Sequence, residues 1–383
     1  MWALEALKHD YRVALIAGGT IDLTALNNFY GTSIRADECE TVELKLPWPL
    51  AKVEWGSALR GAFVSRSMRN HLDTFDVLIS AYNIADFGRP AIHHLADFSW
   101  DETLRRRLDP SPAGLRKLLH EVAPLRSVYL AFVRAVARAP KESFREVGLV
   151  LANSDWSRTT LRERHGIDSA LLYPPLPIRI GAVSAQRGQR RFVSLGRIYP
   201  EKRIEMMIQI IETVRSRGHD LSLHIIGDVR ETAYGREIER LCSAKGRWIV
   251  LEGRRFGDSK MRLLAESAFG IHARQGEAFG IAVAEMMAAG CIPFVPREGG
   301  PAEIVDHEAL LYDDHNDAVE KILAVLNQET LRETLTGHLR RQAEMFSNEH
   351  FISGLRAAVK GFLEGEDRLS SKAAAAHSGI AVP

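Results

Sequence analysis

Apolar positions along the chain follow two alternating periods. Short β-rich runs end in glycine or polar residues and are separated by longer stretches with helical spacing. In the first half the runs cover residues 12–17, 41–46, 76–80, 90–95, 148–152 and 171–173. In the second half they cover 191–195, 221–226, 248–251, 269–273 and 291–295. Between the first two of these later runs, Ile204, Met207, Ile208, Ile211 and Val214 form one helical stripe, with Pro200 near its start. Alternating strand and helix signals predict an α/β protein with parallel, doubly wound sheets. Residues 1–9 read as a short helix with Trp2, Leu4 and Leu7 on one face.

The pattern divides into two halves. Residues 1–180 are expected to form an N-terminal Rossmann-like domain, 181–190 a linker, and 191–346 a C-terminal domain. Residues 347–366 carry Phe351, Leu355, Val359 and Phe362 on one face, a helix expected to pack back toward the N-terminal domain. Residues 367–383 turn to Ser, Ala and Gly and read as a disordered tail. The stretch 105–145 is basic and amphipathic. It suits a surface resting on anionic lipid, or a solvated helix with one core face, which the interspersed acidic residues favour.

Composition narrows the class. A chain of 383 residues with 46% hydrophobic and 26% charged residues is long enough for two full cores. A net charge of +1 argues against a general nucleic-acid binder. Cys39, Cys242 and Cys291 are far apart, with neither zinc-ligand nor disulfide-framework spacing, which points to a reducing, cytoplasmic setting. The sequence shows no signal peptide and no apolar run long enough to span a bilayer.

Candidate chemistry gathers where the C-terminal runs end. Glu277 and Glu285 bracket seven residues, Ala278 to Ala284, in a stretch of small residues that leads from a strand into a helix. A helix start leaves free N–H groups and a positive dipole end, which suit an anion. The two carboxylates could grip hydroxyls on either side of it. Arg197 and Lys202, after Gly196, follow the first strand of this half. Cations at a helix start are unfavourable unless an anion is present, and together they could neutralise a diphosphate leaving group. Gly253 and Arg254 end a third strand. In the first half His93, His94 and Asp97 sit at a strand end, where ligands bind in such sheets; one histidine facing the core and the other packed at the domain edge would look the same in sequence.

In order and spacing, SLGRIYPEKR, HIIGD, LEGR, GEAFGIAVAEMMAAGCIPFV and GGPAEIV resemble the donor domain of the retaining family 4 glycosyltransferases. The likeness is strong over 192–305, and NSDWS at 153–157 and LYPP at 172–175 extend it. GIHARQGEAFG with the segments after it is also similar to mannosyltransferases that elongate lipid-linked oligosaccharides on the cytosolic face. The resemblance implies the GT-B fold, two Rossmann-like domains facing across a cleft. It implies a GDP- or UDP-linked sugar as donor and a glycan or lipid-linked acceptor of the cell envelope. No cofactor or metal is implied, and no nucleic acid. The setting is cytoplasmic, with peripheral contact at the inner face of the membrane.

By the same resemblance Glu277 contacts the donor sugar and Glu285 the ribose. Ala278, Phe279, Gly280 and Ile281 meet sugar and phosphate. Gly196, Arg197 and Lys202 face the diphosphate, and Gly253 with Arg254 the base. Arg197, Lys202 and Glu277 are the expected catalytic group; the acceptor side falls to His93, His94 and Asp97. Family members begin with a strand and a glycine-rich loop, whereas ALEALKHDYRVALI at residues 3–16 resembles the helix after them. The N-terminal sheet is therefore expected to lack a central strand. A nucleotide-sugar epimerase on the same fold, or an inactive truncated transferase that only binds, are the other readings.

Overall fold

A computed structural model describes residues 1–45, 57–68, 71, 74–108, 128, 131–132, 135, 147–176, 188–229 and 232–365. Most of the basic stretch 105–145, residues 181–187 of the expected linker and the tail 367–383 lie outside the described residues.

The N-terminal strands are β1 (Val13–Gly18), β2 (Cys39–Leu44), β3 (Ile79–Ser80), β4 (Ala91–His94), β5 (Gly148–Ala152) and β6 (Ala170–Leu171). All pair in parallel, but in two sheets: β1 with β2, and β3-β4-β5-β6 in that order. Among the described residues no strand joins β1 to β3. The ribbon is held instead by side chains, with Ile16, Val42 and Leu44 packing against Leu78, Phe87 and Ala91.

The C-terminal strands are β7 (Gly188–Leu195), β8 (Ser222–Ile226), β9 (Ile249–Gly253), β10 (Ser267–Ile271), β11 (Ile292–Pro296) and β12 (Leu311–Tyr312). They form one parallel sheet in the order β12-β11-β10-β7-β8-β9. β7 begins at Gly188, inside the stretch read as linker, because Gly188 N–H donates to Glu266 O at the start of β10. Phe192, Phe269 and Phe294 stack across the three central strands, with ring centroids 4.9 and 6.2 Å from Phe192. Helix Ile204–Ser216 buries Ile204, Met207, Ile208, Ile210, Ile211 and Val214 on the sheet, each worth about 1.5–3 kcal/mol of burial.

The sheet order reverses between β7 and β10, which are neighbours in space. Chain leaving β7 heads toward β8, and chain leaving β10 heads toward β11. Their C-terminal ends therefore open a crevice, the usual ligand position in a doubly wound sheet. The last helix, Asn348–Leu363, lies on the N-terminal domain: Phe351, Leu355, Ala358 and Val359 share a core with Ala6, Leu7, Ile92 and Leu151. Arg356 Nε donates to Ala6 O at 2.6 Å and pairs with Asp10 at 3.0 Å. Among the described residues no helix is long and apolar enough to cross a membrane.

Candidate active site

The crevice is floored by strand tips brought very close. Gly196 N–H donates to Ile226 O and Gly227 N–H to Gly253 O, both at 3.0 Å. A β-carbon on Gly227 would lie 2.2 Å from Gly196 O, so only glycine permits this approach. The turn after β7 places Lys202 in a short 3-10 helix, Pro200–Lys202, folded back over Gly196.

The segment after β10 carries the other half. Lys202 Nζ donates to both Glu277 carboxylate oxygens at 2.9 and 3.0 Å. His272 Nε2 lies 2.6 Å from Glu277 Oε2. The side chains of Lys202 and Glu277 are 14% and 17% exposed, so solvent screens the pair little. Burial alone would raise the Glu277 carboxyl; Lys202, His272 and Arg274 together outweigh it and hold it well below the usual carboxylate range. Burial holds His272 below the ordinary imidazole value despite Glu277. The site thus keeps a fixed carboxylate, a cation and a neutral ring in contact.

Gly280 caps helix Ile281–Ala288 in the left-handed conformation, φ 103°, and as a glycine offers that start no side-chain cap. Helix Gly300–Val305 also starts without a side-chain cap. Its loop lies on the 276–280 segment: Gly300 N–H donates to Glu277 O at 2.8 Å and Gly276 N–H to Glu298 O at 2.9 Å. A β-carbon on Gly300 would meet Ala278 O at 2.4 Å and Phe279 Cα at 2.6 Å.

Glu285 is buried one turn into its helix and pairs with Lys260 Nζ at 2.7 Å. Burial pushes its carboxyl up, and Lys260 opposes the shift. Arg254 stacks on Phe256 at 4.7 Å, and Phe256 meets Phe29 of the N-terminal domain at 6.0 Å. Arg197 is exposed and lies 5.2 Å from the Tyr199 ring. Partial burial raises the Tyr82 hydroxyl and Asp97 raises it further, while Ser99 and Arg197 oppose the shift.

The acceptor-side candidates separate. His93 is 1% exposed; its Nε2 contacts Val147 O at 2.9 Å, its Nδ1 accepts from Ala85 N–H at 3.3 Å, and its ring stacks on Phe87. His94 Nε2 contacts Leu172 O at 3.1 Å. Both rings are spent on the fold, and burial pushes both below the ordinary value. Asp97 is half-buried, held by Asn83 Nδ2 and Ser99 N–H at 2.9 Å. Asn83 has φ 129°, a strained value for a residue with a side chain. Its Oδ1 accepts from the N–H groups of Ala96 and Asp97 at 3.1 Å.

Four partners escaped the sequence reading. Lys260 is 25 residues from Glu285 on another helix. Ser154 and Ser157 both donate to Ala278 O, Ser157 at 3.1 Å. Glu303 accepts from Asp155 N–H at 2.7 Å and from the Tyr173 hydroxyl. Ser154, Ser157 and Glu303 lie in segments that carried the family likeness, the only signal that marked them.

A family model described as "Glycosyl transferases group 1" matches residues 181–341. Residues 181–341 are a group 1 glycosyltransferase domain. This group 1 domain holds the β7 turn, both glutamates and Glu303. The chain is 25% identical over 254 residues to a protein of Dictyostelium discoideum named GDP-Man:Man(3)GlcNAc(2)-PP-Dol alpha-1,2-mannosyltransferase, covering 58% of this chain and 50% of that one. A Candida glabrata protein of the same name is 31% identical over 176 residues, 40% of this chain and 34% of its own. The chain spans about half the length of the first of these curated relatives. Two solved structures share the whole architecture. Sucrose-phosphate synthase from Thermosynechococcus elongatus has a TM-score of 0.65 at 17% identity, with 95% and 92% of the chains covered. Anabaena HepE, solved with UDP and glucose, has 0.64 at 15%, with 94% and 95% covered. The group 1 domain and the N-terminal domain together make the GT-B fold.

Proposed function

We propose that this chain is a retaining hexosyltransferase. It moves mannose from a GDP-linked donor to a lipid-linked glycan, without a bound metal, at the cytoplasmic face of a membrane. The observation that carries the reading is the contact of Lys202 with Glu277 beside the uncapped start of helix Ile281–Ala288, at the point where the sheet order reverses. Cation, carboxylate and free backbone N–H groups in one crevice suit a diphosphate joined to a hydroxylated sugar.

In this reading Arg197, Lys202 and the helix start neutralise the departing diphosphate. Glu277 holds sugar hydroxyls, its charge secured by Lys202, and Glu285 serves the ribose. Gly253 and Arg254 stand near the base. Asp97 faces the acceptor across the cleft. The leaving phosphate takes the acceptor proton, so no side chain is needed as general base. The mannose and the lipid-linked acceptor are drawn from the names of the relatives, UDP donors being the alternative.

The test is to incubate the protein with GDP-mannose and a panel of UDP-sugars plus a lipid-linked oligosaccharide, following release of nucleoside diphosphate. GDP release with GDP-mannose is expected. Lys202→Ala should lower kcat/KM by roughly 100- to 1000-fold while far-ultraviolet circular dichroism is unchanged. An unaltered rate in that variant rejects the site.

A further inference from the structure

Ala278 lies between the two candidate donor contacts, Glu277 and Phe279. Its carbonyl is gripped from the other domain by the hydroxyls of Ser154 and Ser157, both fully buried. Ser154 is also the N-cap of helix Asp155–His165 and accepts from Ser157 N–H at 3.0 Å. The next amide at that helix start, Asp155 N–H, donates across the domain boundary to Glu303, at 2.7 and 3.1 Å from its two oxygens. A carboxylate is the favoured group at a helix start, and here it comes from the partner domain.

Glu303 lies in the first turn of helix Gly300–Val305. That helix begins at Gly300, whose N–H donates to Glu277 O at 2.8 Å. The bonds therefore close a ring: the 277–278 backbone, Ser154 and Ser157, Asp155, Glu303, Gly300, and back to Glu277. Tyr173 braces it twice, by its hydroxyl on Glu303 and by its ring, 6.1 Å from Phe279 and 4.8 Å from Phe346.

We propose that Glu303 is a positioning residue: with Tyr173 and the Ser154–Ser157 pair it fixes the 277–280 backbone against the N-terminal domain, so that the donor grip is set by how the two domains meet. The proposal rests on the donor-site reading for its functional half only. Gly280 has no side chain to order that segment. The ring ties that segment to the N-terminal domain, beside the contacts it makes within its own domain through Lys202 and Glu298.

Hydrogen exchange on the full chain without ligand tests the restraint directly. In Glu303→Ala and Tyr173→Phe the amides of 277–283 should exchange about tenfold faster or more, as the loss of one buried hydrogen bond implies. Peptides covering β7, β8 and β9 should not change. Glu303→Gln keeps an acceptor for Asp155 N–H and should recover most of the protection. In transfer assays Glu303→Ala should lower kcat about tenfold or more while nucleoside diphosphate affinity, measured by calorimetry, stays within about threefold. Unchanged exchange at 277–283 in both variants overturns the proposal. Faster exchange throughout the C-terminal domain overturns it too, since Glu303 would then be only a stability element. Should Glu303→Ala fail to fold, Tyr173→Phe and Ser157→Ala carry the same measurement. If the unaltered protein transfers no sugar, the transferase reading fails while the exchange result still decides the restraint.

Discussion

Gly300→Ala is the sharpest probe of the crevice. The backbone at Gly300 is not in the left-handed region, so alanine adds a methyl without torsional strain. That methyl would stand 2.4 Å from Ala278 O, 2.6 Å from Phe279 Cα and 2.7 Å from Phe279 O. All three are backbone atoms, and none can swing aside. Ordinary carbon contact is about 3.5 Å, so the two segments must part by about 1 Å. Such overpacking costs about 1–3 kcal/mol of stability, a fall in Tm of several degrees for a domain of this size. The same 1 Å moves the Phe279 and Gly280 amides away from the donor. Displacements of that size lower transfer roughly 100-fold, equivalent to about 2.7 kcal/mol in kcat/KM. The assay is steady-state transfer with donor varied, alongside thermal unfolding at matched buffer. A variant with unchanged Tm and unchanged kcat/KM would refute the packing of the two loops and their role. A lower Tm with unchanged kcat/KM would refute the role alone.

Two further outcomes follow from the histidines and Glu277. His93, His94 and His272 are held below the ordinary value of 6.5, chiefly by burial. The unfolded chain takes up protons near pH 6.5 where the native chain does not. Stability is therefore expected to be full above that pH and to fall as pH drops below it, by roughly 1.4 kcal/mol per pH unit for each ring. Glu277 works in a separate, more acid window: its contribution is full above 4.5 and is lost only as pH falls through its depressed value. Urea midpoints at pH 7.5 and 5.5 that coincide would contradict the assignment of buried neutral histidines. His93→Ala should cost about 2–4 kcal/mol yet leave the acceptor KM of the folded fraction unchanged; a raised KM at unchanged stability would return His93 to the cleft.

The C-terminal half was legible because its signals are local. Glycine-ended apolar runs and one helical stripe are enough to place β7, β8 and the helix between them. The strand read at 269–273 lies at Ser267–Ile271, and His272 N–H still donates to Phe294 O at 3.0 Å as the last bond to β11. His272 and Ala273 are buried off the strand end, and only the sheet partner distinguishes them from it. Glu277 and Lys202 could be nominated separately from turn chemistry. Their contact could not, since it depends on β7 and β10 being neighbours. Glu303 reaches residues 130 and 148 positions away, a separation on which periodicity is silent. For His93 and His94 the ambiguity was intrinsic, because a strand end serves both core and cleft, and the carbonyls that settle it come from elsewhere in the chain.

The split of the N-terminal sheet bears on handling as much as on chemistry. A two-stranded ribbon has little cohesion of its own, and β1 with β2 is tied to the remainder by side chains alone among the described residues. Heating or mild denaturant should peel this ribbon away before either larger sheet yields. The freed strand borders would then invite neighbouring molecules to pair along them, so clumping on storage would begin at Val13–Leu44 while the crevice was still intact.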